Sequence, residues 1–257
     1  MLLEQHFRIK GKSQINDLLQ VSVQGDVTLK TQIKKLPVQF HTVTGDFVVG
    51  DSMLVSLKGS PIILGGGFYC GGNQLTTLEG APSHVNGDFQ CGYNALKTLQ
   101  HAPVHVTGDF TCAANKLTSL QYGPSQVGGS YMCYDNKLIS LDHAPTHVGG
   151  DFQCQENKLR TLKGAPHIVG GDFVCDVNPL TSLEGLPEVV RATIYISYSR
   201  KLPLLRLLMH EYVSWTNNGP PRAVVNILKD YTNTGKPGAI KCAVELVKAG
   251  YKDHAKW

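Results

Sequence analysis

Six cysteines recur at intervals of 21 residues, and sulfur atoms at regular spacing suggest either metal binding or disulfide formation. They are Cys70, Cys91, Cys112, Cys133, Cys154 and Cys175. Zinc needs four ligands that converge tetrahedrally at about 2.3 Å, whereas a repeat spreads its sulfurs along a line. In-register parallel strands also point these side chains the same way, which leaves the Cβ atoms too far apart for a disulfide. We therefore predict buried, reduced thiols that act as small apolar fillers in a reducing compartment.

An acidic column recurs immediately before the aromatic residue of the repeat. It comprises Asp46, Asp88, Asp109, Asp151 and Asp172. Like charges about 5 Å apart repel by roughly 0.8 kcal/mol in water, so the column needs a compensating interaction. Either each carboxylate accepts hydrogen bonds from the turn made by the preceding glycine, or the row receives a basic partner or a cation.

Two further columns carry groups that could ligate or pair. His84, His105 and His147 share one register, but no carboxylate or fourth ligand recurs beside them, so we predict no metal site. The basic residues Lys97, Lys116, Lys137, Lys158, Arg160 and Lys163 lie opposite the acids in the repeat, and we interpret them as a solvated face. No phosphate-binding loop, zinc spacing or nucleophile elbow is present, so we predict no enzyme, no catalytic residue and no cofactor.

The elements that position these columns are copies of one unit. Asparagine recurs with the cysteines at 73, 94, 115, 136, 157 and 178, and proline at 82, 103, 124, 145, 166 and 187. A period of this length is typical of a solenoid, in which each coil packs on the next. Phe152 and Cys154 alternate with polar residues as in a half-buried strand, and Leu159 and Leu162 follow after a turn. We expect the Asn amides to satisfy backbone groups of the next coil that this turn leaves unpaired.

This unit resembles the leucine-rich repeat, with Phe and Cys in two of the Leu positions and one residue added to the usual 20. The similarity is to the short bacterial subclass, whose N-x-L-T-S-L signature stands at 115–120 and, with Pro179, at 178–183. The repeat, followed through its degenerate ends, predicts a solenoid of eight or nine coils with a parallel β-sheet and a small α-helical C-terminal cap. The resemblance implies that the sheet lies on the concave face. We divide the chain into an N-terminal cap (1–26), the solenoid (27–204) and a helical C-terminal domain (205–257).

In the leucine-rich-repeat register, the variable residues around each strand point outward from the concave sheet. The partner-binding residues predicted on this basis are Tyr69, Gln90, Tyr93, Thr111, Met132, Tyr134, Asp135, Gln153, Gln155 and Glu156, together with Asp88, Asp109, Asp151 and Asp172. Tyr and Met beside Gly and Ala are typical of interface hot spots. Scattered surface tyrosines with no partner are the alternative interpretation.

After Lys201 the spacing becomes helical. One apolar stripe runs over 204–215, a second covers 224–231, and a third helix is predicted to start near Pro237. The ending from Gly238 to Trp257 resembles the carboxyl termini of leucine-rich-repeat proteins of tailed bacteriophages. Cys242 invites comparison with bacterial effector ubiquitin ligases, but the remaining chain is too short for their catalytic domain, so we expect Cys242 to pack.

Charge is distributed unevenly, although the net charge is only +4. Residues 1–65 carry seven basic and five acidic side chains. Residues 66–190 carry six basic and 11 acidic side chains, and residues 191–257 carry 11 basic and four acidic side chains. The basic tail permits contact with nucleic acid, but no run of five or more Lys or Arg requires it. Neither a signal peptide nor an apolar run long enough to span a membrane is present, so we predict a cytoplasmic location with no membrane contact.

The leading hypothesis is a non-enzymatic protein-binding module. The resemblance implies a phage-encoded protein in the host cytoplasm, which docks its concave sheet on a host or phage protein and inhibits a bacterial defence or regulatory enzyme. One alternative is a nucleic-acid-associated accessory protein that uses the basic C-terminal helices. Another is a structural component of a phage assembly.

Overall fold

A computed structural model describes residues 2–257 and shows a parallel β-solenoid of about nine turns with a helical C-terminal region. Met1, the first residue of the predicted N-terminal cap, lies outside the described residues. The chain begins with α1 (Leu2–His6), β1 (Phe7–Ile15), β2 (Gln20–Leu29), β3 (Gln39–Val43), β4 (Phe47–Val48) and β5 (Ile63–Leu64). Strands β1 and β2 form an antiparallel hairpin, and β2 then pairs in parallel with β3 and β4.

Short strands follow in the repeats, and from β6 to β18 they belong alternately to two different sheets. They are β6 (Phe68–Tyr69), β7 (His84–Val85), β8 (Phe89–Gln90), β9 (His105–Val106), β10 (Phe110–Thr111), β11 (Gln126–Val127), β12 (Tyr131–Met132), β13 (His147–Val148), β14 (Phe152–Gln153), β15 (Ile168–Val169), β16 (Phe173–Val174), β17 (Val189–Val190), β18 (Ile194–Ile196) and β19 (Val213–Trp215).

The strands build two sheets on the solenoid, which are parallel except for the β1–β2 pair. Within residues 2–257, the long sheet contains 13 strands, among them the even-numbered ones from β2 to β18, and the short sheet contains the six odd-numbered strands from β7 to β17. The solenoid with its parallel sheet confirms the predicted fold class. The repeat pattern predicts only the long sheet, because two-residue strands such as His84–Val85 are too short to show a period of two.

The core consists of columns of identical side chains that run along the solenoid axis. Phe47, Phe68, Phe89 and Phe110 stack with ring centroids 5.6 to 5.8 Å apart, and the column continues through Tyr131 to Phe173. At the amino end Phe40 meets Phe47 edge-on at 5.1 Å, and Phe7 meets Phe40 in the same way at 5.2 Å. Edge-on rings therefore end the stack and cover its first face.

The asparagine column joins neighbouring coils, but each amide contacts the preceding coil, whereas the sequence predicts contact with the next coil. The Asn115 Nδ2 group donates to the carbonyl oxygens of Cys91 and Cys112 at 3.1 Å and of Ala113 at 3.2 Å. Its Oδ1 accepts from the Leu96 backbone N–H, in the preceding coil, at 2.9 Å. The same four contacts recur at the other five asparagines of the column. Each amide thus satisfies backbone groups that the turn would otherwise leave unpaired and buried.

The tail corrects one prediction and confirms two. The stripe over 204–215 is not one helix: a 3₁₀ helix spans Leu205–Met209, and β19 then pairs in parallel with β18. The physical reason is that β18 would otherwise leave an unpaired sheet edge, and pairing this edge outweighs a local helical preference. The Ile194 N–H donates to the Tyr212 carbonyl oxygen at 3.0 Å. The other two helices are α2 (Arg222–Tyr231) and α3 (Gly235–Lys248).

The last residues return to the end of the solenoid. Buried His254 forms one hydrogen bond at each ring nitrogen. Nδ1 lies 2.8 Å from the Leu202 carbonyl oxygen, and Nε2 lies 3.0 Å from the Tyr198 hydroxyl. Because a carbonyl only accepts, Nδ1 carries the proton and Nε2 accepts from the tyrosine. Cys242 is fully buried in α3 and packs as predicted.

One coil differs from the others at two positions that touch each other. Tyr131 takes a phenylalanine position, and its hydroxyl is buried with no hydrogen-bond partner within residues 2–257. Gly123 takes the position that Ala102 and Ala144 hold in neighbouring coils, and a Cβ there would lie 3.0 Å from the Tyr131 hydroxyl. The missing methyl group therefore makes room for the additional oxygen.

We predict a strong coupling between these two positions. Tyr131→Phe should stabilise the protein by about 1 kcal/mol, because it removes a buried unpaired hydroxyl. Gly123→Ala should destabilise the wild type by about 1 kcal/mol through overpacking, but be neutral or stabilising beside Tyr131→Phe. Urea unfolding of the four proteins in a double-mutant cycle measures the coupling. Additive effects would contradict this account.

Candidate protein-binding site

The long sheet presents one set of side chains outward between its buried Phe and Cys columns. We call this surface the sheet face. It comprises four registers of the repeat over 46–198: the residue immediately before the aromatic residue, the residue immediately after it, and the two residues that follow the cysteine position. The predicted strand residues Tyr69, Gln90, Thr111, Met132 and Gln153 are half-buried there. Of the turn residues, Tyr93, Asp135 and Glu156 are exposed, and Tyr134 and Gln155 are half-buried. The structure thus brings the predicted residues together on one surface.

The last register of the sheet face has left-handed backbone conformation in every coil from Asp51 to Val177. The φ angles are +55° at Tyr93, +50° at Asp135 and +56° at Glu156, with Gly72 at +67°. Non-glycine residues seldom adopt this conformation. It turns the chain sharply after the strand and leaves these side chains at the outer rim of the face. The sequence signal was the glycine at 72, in register with these residues.

The acidic column is held by hydrogen bonds, but not from the predicted donors. The Asp109 Oδ1 accepts from the Ser130 N–H at 2.7 Å, and the Asp88 Oδ1 from the Asp109 N–H at 2.9 Å. Asp151 and Asp172 likewise accept from the amides of Asp172 and Thr193. The expectation that the preceding glycine turn donates is therefore wrong, because each donor lies one coil further on.

Glycine has a different role beside this column. A Cβ atom at Gly129 would collide with the Asp109 Oδ1 and would lie 2.9 Å from the Gly108 carbonyl carbon. Gly108 and Gly171 are equally confined by the carboxylates of Asp88 and Asp151. These glycines make room for the carboxylate of the neighbouring coil.

Two tyrosines join across the sheet face. The hydroxyl oxygens of Tyr93 and Tyr134 lie 3.5 Å apart and span the intervening coil, which contributes only Ala113 and Ala114 there. The pKa of Tyr134 is raised to about 12, first by the hydrogen bond with Tyr93 and then by burial. The phenol therefore stays neutral, and the pair forms a raised aromatic bridge above a floor of small residues.

A groove lies beside Tyr93 and contains Tyr69. Its volume is about 450 Å³, and its lining residues are Asp46, Val48, Gly50, Asp51, Tyr69, Gly71, Gly72, Gln90, Gly92, Tyr93 and Thr111. The Tyr69 hydroxyl lies 3.4 Å from the Asp88 Oδ2. Burial, followed by the charges of Asp88 and Asp46, raises the pKa of Tyr69. Asp51 was missed in the sequence analysis, although it stands two periods before Tyr93 in the same register.

The sheet face carries charge of one sign. Its four registers contain nine carboxylates and no Lys or Arg. The nine are Asp46, Asp51, Asp88, Asp109, Asp135, Asp151, Glu156, Asp172 and Asp176. The exposed lysines at 97, 116, 137 and 158 follow the asparagine turn and lie outside these registers. The face is therefore complementary to a basic partner.

No protein-family model and no curated protein matches this chain. The fold class therefore depends on the repeat and the coordinates alone, and the leucine-rich type stays a prediction.

The other candidate columns do not converge on a site. The six cysteines of the repeat are free and fully buried, as predicted, and burial raises the pKa of Cys91 to about 12. His84, His105 and His147 are exposed on the outer side of the short sheet. The part of the chain described, 2–257, contains no group of three or more His, Cys, Asp or Glu that could hold a metal ion. Nor does any helix in that range have the length and apolar character to cross a membrane.

Proposed function

We propose that this chain is a non-enzymatic protein-binding module that docks through the sheet face on a basic surface of another protein. The observation that carries the proposal is the Tyr93–Tyr134 bridge, which stands above small residues on a face with nine carboxylates and no Lys or Arg. Large aromatic side chains on a rigid support supply contact area at a low entropic cost.

The charge of the face favours a protein over a nucleic acid. A phosphate backbone would be repelled by the carboxylates, because nucleic-acid binding depends on Lys and Arg that displace counterions. Basic side chains do occur in the tail, where Arg222, Lys229, Lys236 and Lys241 are exposed on or beside α2 and α3. Nucleic-acid binding there is the second candidate.

The finer parts of the proposal follow the resemblance to leucine-rich-repeat proteins of tailed bacteriophages. On that basis the sheet lies on the concave side of a leucine-rich solenoid, and the protein is phage-encoded and cytoplasmic in the host. The partner is then a host or phage protein, and docking inhibits a defence or regulatory enzyme. A role as a structural component of a phage assembly would instead place the chain in purified particles.

The test is partner capture with variants that leave the coils intact. Tyr93→Gly introduces the residue that Gly72 provides one coil earlier, and Tyr134→Ala introduces that of Ala113. We expect the double variant to lose its partner from a bacterial lysate by at least about tenfold, as expected for a hot-spot pair. Quantitative mass spectrometry of proteins retained by the immobilised chain measures the loss.

A matched control uses Tyr122, an exposed tyrosine outside the face. Tyr122 also has a positive φ, at +69°, and Gly80 and Gly164 hold its register in other coils. Tyr122→Gly should retain the partner. Retention by the Tyr93→Gly/Tyr134→Ala variant would contradict the choice of surface. Salt-dependent DNA binding that is lost when the four tail cations are neutralised would favour the second candidate.

A further inference from the structure

The groove beside Tyr93 has a floor with almost no side chains. Gly50, Gly71 and Gly92 occupy the same register in three successive coils. Strands of one sheet lie about 4.8 Å apart, so the three glycines leave roughly 10 Å of bare backbone along the solenoid axis. In the next coils the register is filled by Ala113 and Tyr134, which ends the trough.

The walls of the trough are aromatic. Tyr69 stands on one side, where its ring occupies the space above Gly67: a Cβ at that glycine would lie 2.6 to 2.8 Å from the Tyr69 ring and hydroxyl. Tyr93, which is 62% exposed, stands further along the coil. Two phenol rings at the edge of a narrow trough provide π faces for a flat or cationic group.

The charged residues in the lining are both acidic. Asp46 uses Oδ1 to accept from the Gly67 N–H at 2.8 Å, which leaves its second oxygen without a hydrogen bond in the described chain. The Asp51 carboxylate is exposed and has no ion pair within residues 2–257. It lies over Gly72, where a Cβ atom would collide with its Oδ1. No Lys or Arg lines the groove.

We propose that this groove binds an arginine side chain presented by the partner protein. This inference rests on the proposed docking function and specifies what the sheet face recognises. A guanidinium group is planar, so it stacks on Tyr69 or Tyr93 and donates two parallel hydrogen bonds to a carboxylate such as Asp51. A lysine ammonium is a compact, strongly hydrated point charge and uses the flat trough less well.

The inference can be tested without knowing the partner. Backbone amide NMR of the full chain follows titration with the peptide acetyl-Gly-Arg-Gly-amide and with its citrulline counterpart, which has nearly the same shape but no charge. We expect the arginine peptide to shift the amides of Gly71, Gly72 and Gly92 saturably. The citrulline peptide should bind about tenfold more weakly or not at all, because a charge-assisted pair is lost. The corresponding lysine peptide should bind about threefold more weakly than the arginine peptide.

Variants of the groove assign the effect to its residues. Asp51→Asn and Tyr93→Gly should each weaken arginine binding by about fivefold, and both suit the positive φ of +49° and +55° at these positions. Asp142→Asn and Tyr122→Gly, which change exposed residues outside the face, should leave it unchanged. Equal binding of the citrulline or lysine peptide, shifts that map elsewhere, or unaffected groove variants would each overturn the assignment.

The two proposals fail separately. If the arginine peptide leaves the three glycines unmoved while the Tyr93→Gly/Tyr134→Ala variant still loses its partner, the groove assignment is overturned and docking stands. If the peptide binds as expected but the double variant retains its partner, the groove assignment stands and docking through the Tyr93–Tyr134 bridge is overturned.

Discussion

Asn136→Asp is expected to destabilise the solenoid by about 4 kcal/mol at pH 7, because it leaves a buried charge uncompensated. Asn136 is 7% exposed, and its Nδ2 donates to the carbonyl oxygens of Cys112, Cys133 and Tyr134 at 3.1 to 3.2 Å. An aspartate would turn a carboxylate oxygen towards three acceptors and keep only the contact with the Leu117 N–H. Urea unfolding followed by circular dichroism measures the loss.

The pH dependence of this variant separates charge from shape. A carboxyl group among carbonyl oxygens has a raised pKa in the folded state. The destabilisation it causes therefore grows as the pH rises above the pKa of the same carboxyl in the unfolded chain, and it shrinks in acid. The difference from wild type should therefore be smaller at pH 4 than at pH 7. Asn218→Asp, at an exposed position, should cost less than about 0.5 kcal/mol. A stable Asn136→Asp protein at pH 7 would refute the role of the column.

Above about pH 9 the wild-type protein is expected to lose stability steeply. Burial raises the pKa of Cys91 to about 12 and that of Cys70, Cys112 and Cys154 well above the ordinary value. Thiols in the unfolded chain ionise near pH 8.5, so the native state holds protons that the unfolded state has released. Each thiol therefore lowers the free energy of unfolding by about 1.4 kcal/mol per pH unit between its two pKa values. Guanidinium chloride midpoints at pH 7, 9 and 10 measure the slope.

The chain itself offers a control for this alkaline loss. Val49 and Ile196 occupy the cysteine register in the coils immediately before and after the six cysteines and are fully buried. Replacing Cys112 and Cys133 with valine should keep the fold and reduce the thiol contribution to the slope by roughly two sevenths, because Cys242 also has a raised pKa and two of the seven buried thiols no longer ionise. An unchanged slope would assign the alkaline loss to other groups, such as the buried phenol of Tyr131.

The sequence predicted those features that a period of 21 residues encodes directly. The buried Phe and Cys columns follow from a register that repeats, since identical coils must stack identically. A role for the Asn115 amide between coils also follows, but its partners beyond its own coil lie in the preceding coil and not in the next one, because the repeat alone does not distinguish the two directions. The partner of Asp109 did not follow, because the pattern does not tell whether a carboxylate reaches the preceding glycine or the next coil. The strand at Val213–Trp215 was also missed, since a sheet edge that needs a partner leaves no local signal in the residues that supply it.

The sheet face was predictable as a set of registers but not as a surface. Tyr93 and Tyr134 stand 41 residues apart, and their contact depends on two alanines between them and on a left-handed turn at Tyr93. The carboxylate of Asp51 reaches the groove because Gly72 has no Cβ atom. Such contacts depend on the absence of side chains, which a consensus does not reveal.

Each coil is tied to its two neighbours by different side chains: the asparagine oxygen takes an amide from the coil before, and the aspartate oxygen takes one from the coil after. A complete unit can therefore be duplicated or removed with every such tie re-formed between the new neighbours, whereas an insertion of any other length breaks both. Proteins built on this architecture can thus gain or lose recognition surface one complete coil at a time, while the terminal segments that cover the solenoid ends stay unchanged.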